Sequence, residues 1–275
     1  MLAKITIFCF AASYGVALLL EVSRLFFRLP VRLVVMLGFG IAGLLAHTLF
    51  LWNHAQTSTG VPFSSFHLWF IMAAWLMAAL YVILAATRPQ SSIGIFMLPV
   101  VMALILAAEL ADPKQVFPQR EAVAVWFQVH GFALLLGTVT TAMGFVAGIM
   151  YLVQSYRLKH KLLPRPGFRL PSLEWLQMIN KQSLYISAIL VAVGVFAGVV
   201  LNLIRGGISW TDPLIVSSGG LLAWLFAATL FEVLYKPAQQ GRKVAYLTIA
   251  NFLFLTAVLC IVLFGDSQHA VGGPT

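Results

Sequence analysis

Eight long apolar runs follow one another along this chain, each separated from the next by a short polar segment. A helix of about 20 apolar residues crosses a hydrocarbon core of roughly 30 Å. A water-soluble domain cannot cover its surface when 61% of its residues are hydrophobic and 9% are charged. The pattern therefore predicts an all-α integral membrane protein, a bundle of about eight transmembrane helices. The runs cover approximately residues 3–20, 32–52, 65–86, 93–111, 122–153, 182–204, 214–235 and 243–264.

The basic residues fall mainly on one side of this predicted topology. All but four of the 17 Lys and Arg residues lie in the segments after the first, third, fifth and seventh runs. Lysine and arginine in short loops favour the cytoplasmic side, so we expect both termini to be extracytoplasmic. The placement of basic residues on the cytoplasmic side then explains the net charge of +9. We expect the lipid bilayer to be a partner and do not expect nucleic acid to be one. The four exceptions are Lys4, Lys114, Arg120 and Arg205.

We interpret the chain as one membrane unit with two portions. Residues 1–119 form an N-terminal four-helix portion, and residues 120–275 form a core with an external loop at residues 205–213 and a histidine-bearing tail. The longest hydrophilic segment, "RLKHKLLPRPGFRLPSLEWLQ", separates the first five helices from the last three. It also predicts an interfacial helix that begins at Ser172, because serine caps helix N-termini.

Two nearly identical pentapeptides, "GFVAG" at residues 144–148 and "GVFAG" at residues 194–198, lie in the fifth and sixth predicted helices. Each has glycines four residues apart, a spacing that lets helix backbones approach closely. We interpret both as packing seams. Glu21 and Glu232 lie near predicted cytoplasmic helix ends, where we expect each to pair with a neighbouring Arg or Lys.

Five of the six histidines lie at or near the predicted outer membrane surface. A neutral imidazole binds iron, copper or zinc, but none of these histidines has the close spacing of a structural zinc site. Their wide separations suit a large ligand held between helices. Haem, which takes one axial ligand on each face, is such a ligand. The five residues are His47, His54, His67, His130 and His269.

His130 is the strongest single candidate for a ligand, because an ionisable residue inside a membrane helix is costly and marks a functional site. Trp126 lies one helical turn earlier on the same face. Its ring can stack on a macrocycle edge or belong to the aromatic belt of the interface. His47 and His67 could pair across the second and third helices. The sequence contains no nucleophile triad, paired acid and base, or phosphate-binding glycine loop, so hydrolytic and phosphoryl chemistry have no support.

A further pattern lies in the C-terminal part of the chain. The loop "ISWTDP" stands between two apolar runs, with one histidine before it in "WFQVHGFALLLG" and another after the last run in "FGDSQHAVG". Over about residues 120–270 this resembles the haem-handling superfamily of cytochrome c assembly proteins, which includes CcsA, CcmC and the eight-helix HemX-like branch. In that family an outward-facing, tryptophan-rich loop ending in Asp-Pro lies over haem, and two external histidines supply its axial ligands.

The resemblance implies a role for each matching residue. His130 and His269 would be the axial ligands of the iron of haem b. The rim of the haem platform would consist of Trp210, Asp212 and Pro213.

The loop also departs from the family pattern. The fuller motif has several tryptophans, with Lys and Glu after the proline, whereas this chain has Thr211 before the aspartate and "LIVSS" after Pro213. A single tryptophan offers less stacking surface to a porphyrin, which favours the HemX-like branch. In the N-terminal portion, His47 and His67 would form a second, transient haem station.

The implied function is haem binding and haem handling in cytochrome c biogenesis, at the extracytoplasmic face of a bacterial-type inner (plasma) membrane. The expected partners are haem and either other cytochrome c maturation membrane proteins or apocytochrome c, and the chain is not expected to be an enzyme alone. The alternative is a HemX-like membrane regulator or scaffold, linked to tetrapyrrole synthesis or complex assembly. A small-solute transporter is disfavoured because the sequence has no evident inverted repeat. A b-type electron-transfer cytochrome is disfavoured because the histidines gather on one side.

Overall fold

The computed structural model describes residues 6–26, 31–57, 65–111, 125–163, 167–205, 209–234 and 241–264. Within these ranges the chain forms eight α-helices and no strand, as the apolar runs predict. The helices are α1 Ile7–Ser23, α2 Arg32–Thr57, α3 Phe66–Thr87, α4 Gly94–Leu110, α5 Val125–Lys159, α6 Leu173–Arg205, α7 Pro213–Leu234 and α8 Gly241–Phe264.

The largest difference from the predicted elements is in α6, which is a single helix of 33 residues. Ser172 caps its N-terminus as expected, because the Ser172 hydroxyl accepts a hydrogen bond from the Trp175 N–H at 3.3 Å. The predicted interfacial helix is therefore the first part of α6 and not a separate element. No Gly or Pro interrupts residues 173–193, and Leu176 and Asn180 are buried there, so packing continues the helix through the polar stretch.

Six of the described helices are long and apolar enough to cross a membrane, namely α2, α3, α5, α6, α7 and α8. The described parts of α1 and α4 are apolar helices of 17 residues each, a rise of about 25 Å. The protein is therefore an all-helical membrane protein. The number of crossings and the orientation of the termini stay predictions.

Helix α5 stands at the centre of the bundle. It packs along α6 and α8 on one side and touches α3 and α4 on the other, while α1 packs against both α2 and α4. One large core cluster runs through α1 to α5 and takes in Leu176 of α6 and Ala245 of α8. A smaller cluster joins α6, α7 and α8 around Leu225. The division of the chain at residues 119 and 120 stays a prediction, and it falls outside the described residues.

One end of the bundle is held by a basic network. We call the end where α1, α3, α5 and α7 finish the basic end, and the opposite end the histidine end. At the basic end, Arg24 donates hydrogen bonds to the carbonyls of Ser91 at 3.0 Å and Gln90 at 2.6 Å. The Ser92 N–H donates to the Arg169 carbonyl at 2.7 Å. These bonds fasten the α3–α4 connection to α1 and to the segment before α6.

Helix α7 is tied to its neighbours by buried polar groups. Glu232, which is buried, has Lys181 Nζ at 2.9 Å from its Oε1 and accepts a hydrogen bond from the Tyr185 hydroxyl. Nearer the middle of α7, Trp224 Nε1 donates to Asn251 Oδ1 of α8 at 2.6 Å. The expected pairing of Glu232 with a basic residue is therefore confirmed. Glu21 likewise has Arg24 Nη1 at 3.8 Å.

Candidate functional site

The imidazole of His130 lies against the backbone of α6 near the histidine end. Its Nδ1 is 2.7 Å from the carbonyl oxygen of Gly194. A carbonyl oxygen can only accept a hydrogen bond, so Nδ1 carries the proton in this contact. In a neutral ring the electron pair is then on Nε2, the atom that histidines commonly use to bind a metal.

The "GVFAG" pentapeptide of α6 forms the seat of this ring. A Cβ atom added to Gly198 would stand 2.8 Å from both Nδ1 and Cε1 of His130, and one added to Gly194 would stand 2.6 Å from Leu134 Cδ2. Both glycines thus allow α5 and α6 to approach closely, which confirms the predicted packing seam. Its association with a histidine was not predicted, because that depends on the register of α6 against α5.

The "GFVAG" pentapeptide of α5 is a packing seam without a histidine contact. A Cβ atom on Gly144 would lie 2.9 Å from Ser183 Cβ, and one on Gly148 would lie 2.8 Å from Thr248 Oγ1. This seam lets α5 approach α6 and α8. The two similar pentapeptides therefore pack against different helices. The pentapeptide of α6 packs against α5, whereas that of α5 packs against α6 and α8.

An exposed aromatic pair lies one turn from His130. Trp126 meets Phe196 of α6 edge-on, with ring centroids 6.2 Å apart and an interplanar angle of 73°. Trp126 is 39% exposed and Phe196 is 61% exposed. In the sequence of α6, Phe196 stands between Gly194 and Gly198. The pair offers apolar surface for a flat ligand beside His130, and a position in the lipid interface satisfies the same contacts for Trp126.

The loop before α7 is a tight turn that separates Trp210 from Asp212. The Asp212 N–H donates to the Ser209 carbonyl at 2.9 Å, which places Trp210 and Thr211 at the two central positions of the turn. Trp210 is 52% exposed, whereas Asp212 is only 3% exposed. Residues 206–208 of the predicted external loop lie outside the described residues.

The Asp-Pro pair of this loop begins α7. The Val216 N–H donates to the Asp212 carbonyl at 3.0 Å, which is the first helical hydrogen bond, so Asp212 occupies the N-cap position. Pro213 then stands at the first helical position, where its fixed φ and missing N–H are tolerated. Asp212 and Pro213 therefore determine where α7 starts, and through the turn they determine where Trp210 projects.

The predicted second axial ligand, His269, lies outside the described residues. The described contacts of His47 and His67 lead to different helices. His47 is fully buried and stacks on Phe10 of α1 at 4.0 Å with an interplanar angle of 5°. His67 Nδ1 is 2.7 Å from the Ala108 carbonyl of α4. Neither of these contacts joins the two rings, and their pairing stays a prediction.

His67 repeats the hydrogen-bond geometry of His130. In both residues Nδ1 faces a backbone carbonyl of a neighbouring helix at 2.7 Å, so both rings carry the Nδ1 proton and the Nε2 electron pair. The sequence did not predict these two hydrogen bonds, because every residue has a backbone carbonyl and the residue type does not show which one accepts. The one available signal was the glycine spacing of "GVFAG".

The described residues contain no group of three or more His, Cys, Asp or Glu side chains that could hold a metal ion. Histidines that do not form such a group instead suit a metal whose other ligands come from a cofactor and not from the protein. Haem is such a metal complex, because its porphyrin supplies four nitrogens and leaves the axial positions to the protein.

The chain is similar to known cytochrome c assembly proteins. A protein described as "Cytochrome c biogenesis protein CcsA", from Microcystis aeruginosa, is 23% identical to this chain in an alignment that covers 77% of this chain and 79% of the relative. The family described as "Cytochrome C assembly protein" matches residues 39–266, which is most of the chain. The chain therefore belongs to the cytochrome c assembly protein family, and its role lies in cytochrome c biogenesis.

Proposed function

We propose that this protein binds haem b through His130 and presents or exports it at the extracytoplasmic face of the membrane. The observation that carries the proposal is the contact between His130 Nδ1 and the Gly194 carbonyl at 2.7 Å. Metal-binding histidines commonly donate their second ring N–H to a carbonyl or carboxylate, which holds the ring and raises its basicity. The residues around His130 fit haem in this respect.

The aromatic surface beside His130 fits haem as well. Trp126, one helical turn before His130, and its ring partner Phe196 are both exposed, and such rings pack well against a porphyrin. Trp210 adds a third exposed aromatic side chain at the same end of the bundle. Arg205, where α6 ends, follows Gly198 by about 10 Å along the helix axis. The turn that carries Trp210 begins at Ser209.

The roles proposed for the remaining residues are those that the resemblance implies, and they assume that haem binds at His130. His269 would supply the second histidine ligand of the haem iron. Asp212 and Pro213 hold the start of α7 and thereby orient Trp210 as the rim of the platform. The iron supplies the coordination positions for the two histidines, and haem is the cargo of the protein, not a resident catalyst.

His47 and His67 are the proposed second haem station. The Ala108 carbonyl orients the His67 ring in the same way as Gly194 orients His130. His47 is buried deeper in the bundle, where its ring stacks on Phe10 of α1. This station would receive haem before it reaches His130.

The proposed setting is a bacterial-type inner membrane with both termini and the histidine end extracytoplasmic. The partners are other cytochrome c maturation membrane proteins or apocytochrome c, and the chain is not an enzyme alone. It supplies a haem-bearing surface, whereas attachment of haem requires a component that recognises the apocytochrome.

A second candidate function is that of a HemX-like regulator or scaffold without bulk haem transport. The loop sequence favours it, because Trp210 is the one tryptophan of the turn and Thr211 replaces the motif tryptophan. One aromatic ring gives less shape specificity for a porphyrin. In this case the Trp210 turn would contact a partner protein.

The experiment that tests the proposal is the visible spectrum and pyridine haemochrome of the detergent-purified protein. We expect near-stoichiometric haem b in the parent, and its loss or a changed spectrum in His130→Ala and His269→Ala. His160→Ala is the matched control, because His160 is exposed at the basic end beside Tyr156. A parent that stays colourless after haem addition would refute haem binding and leave the regulator as the better account.

A further inference from the structure

The Gly194 carbonyl serves two donors. In an α-helix the carbonyl of residue 194 accepts the N–H of residue 198, and here it also faces His130 Nδ1 at 2.7 Å. A carbonyl oxygen has two electron pairs and can accept both bonds. The ring reaches this carbonyl across the position where residue 198 would carry its Cβ atom.

Gly198 keeps that approach open. A Cβ atom at position 198 would stand 2.8 Å from both Nδ1 and Cε1 of His130, well inside the usual carbon–carbon contact of about 3.5 Å. The methyl group of an alanine is fixed to the α6 backbone, so the imidazole would have to move. A displacement of several tenths of an ångström would stretch the Nδ1–O distance to about 3.2 Å or more, the limit of a normal hydrogen bond.

We propose that Gly198 is a positioning residue for His130, and that it acts by giving the ring access to the Gly194 carbonyl. This access selects the tautomer with the proton on Nδ1 and strengthens Nε2 as an electron donor. The proposal rests on the proposed haem function for its consequence, but the tautomer is a property of the haem-free protein. Gly148, in the similar pentapeptide of α5, packs against Thr248 and has no such role.

The first test measures the tautomer without haem. Apoprotein labelled with 15N-histidine is reconstituted in lipid, and its imidazole nitrogens are observed by solid-state NMR, with the His130 signals identified by their loss in His130→Ala. We expect Nδ1 to be protonated in the parent and in Gly148→Ala, and a mixture of tautomers in Gly198→Ala. A fully Nδ1-protonated His130 in Gly198→Ala would overturn the proposal.

The second test measures haem binding and reduction. Loss of a hydrogen-bond partner behind a ligating histidine commonly weakens metal binding by about 10- to 100-fold. We expect this weakening in haem titrations of Gly198→Ala, together with a more positive midpoint potential, because a weaker donor stabilises ferric iron less. Gly148→Ala should titrate like the parent. If the parent binds haem and Gly198→Ala matches it in both measurements, the proposal fails. If the parent binds none, the haem function fails and the tautomer test still stands.

A third test covers the case that Gly198→Ala does not fold. His130→Gly removes the ring, so the added methyl group of a His130→Gly/Gly198→Ala double variant meets no imidazole. Haem and free imidazole can then be added together to the single and double variants, with the imidazole concentration varied. We expect the double variant to need about tenfold more imidazole to regain the parent spectrum. Equal requirements would contradict the role of Gly198.

Discussion

Lys181 on α6 and Glu232 on α7 form an ion pair across two helices, with Nζ 2.9 Å from Oε1. The Glu232 carboxylate is fully buried, whereas the Lys181 side chain is 31% exposed. Removal of the lysine therefore leaves a buried negative charge beside the Tyr185 hydroxyl, whereas removal of the carboxylate leaves a lysine that water can reach.

We predict that Lys181→Met lowers stability more than Glu232→Gln. The loss in Lys181→Met should be about 2 kcal/mol, because one partner of a buried pair is removed but the lysine is partly exposed. The thermal midpoint in detergent measures the difference. The double variant should regain most of the loss, since it leaves no unpaired charge. Additive losses in the double variant would contradict a coupled pair.

We predict that Asp212 stabilises the start of α7 through the hydrogen-bonding geometry of its side chain and not through its negative charge. Asp and Asn are equally good N-cap residues, and Ala in their place costs about 1 kcal/mol. Asp212→Ala should therefore lower the thermal midpoint and the haem content, whereas Asp212→Asn should keep both. If Asp212→Asn loses haem while remaining stable, then the negative charge contacts haem or a partner directly.

Trp210 should contribute to haem affinity through its ring. An aromatic contact is worth about 0.5–1.5 kcal/mol beyond burial, so we expect Trp210→Ala to raise the Kd for haem by about two- to tenfold. Trp210→Phe should keep most of the affinity. Trp52→Ala is a matched control for the His130 site, because Trp52 is 65% exposed on α2, which packs against α1 and α3. A haem titration with unchanged Kd in Trp210→Ala would favour the regulator function.

The orientation of the bundle can be measured by cysteine labelling. In a background without Cys9 and Cys260, Thr211→Cys should react in intact cells with a membrane-impermeant maleimide. Leu163→Cys should react only after the membrane is opened. Thr211 is exposed at the histidine end and Leu163 is 85% exposed at the basic end, so access is limited by sidedness and not by burial. The reverse labelling pattern would place the histidine end in the cytoplasm.

Much of the fold was predictable because its cause is local. The apolar runs predicted the eight helices of the described part, since a backbone surrounded by lipid must satisfy its hydrogen bonds within each segment. Ser172 was also correctly predicted as a helix start. The continuity of α6 was not, because polarity suggested an interfacial element and only the burial of Leu176 and Asn180 joins it to the following span.

The candidate site was predictable in its residue types and not in its geometry. The cost of an imidazole inside a membrane helix singled out His130 from sequence alone, and the Asp-Pro pair marked the turn at Trp210. Family membership confirms the setting in cytochrome c biogenesis, while the roles of the individual residues stay predictions.

The sequence by itself thus determined the class of protein, the helices and the side chains able to bind a metal, because hydrophobicity and ligand chemistry are properties of single residues. Only the tertiary structure decided that Gly194 and Gly198 face His130, that Lys181 pairs with Glu232 51 positions away, and that two similar glycine seams meet different neighbours. These contacts depend on the register of one helix against another. That register is determined by the packing of all the helices together, and no short stretch of sequence contains it.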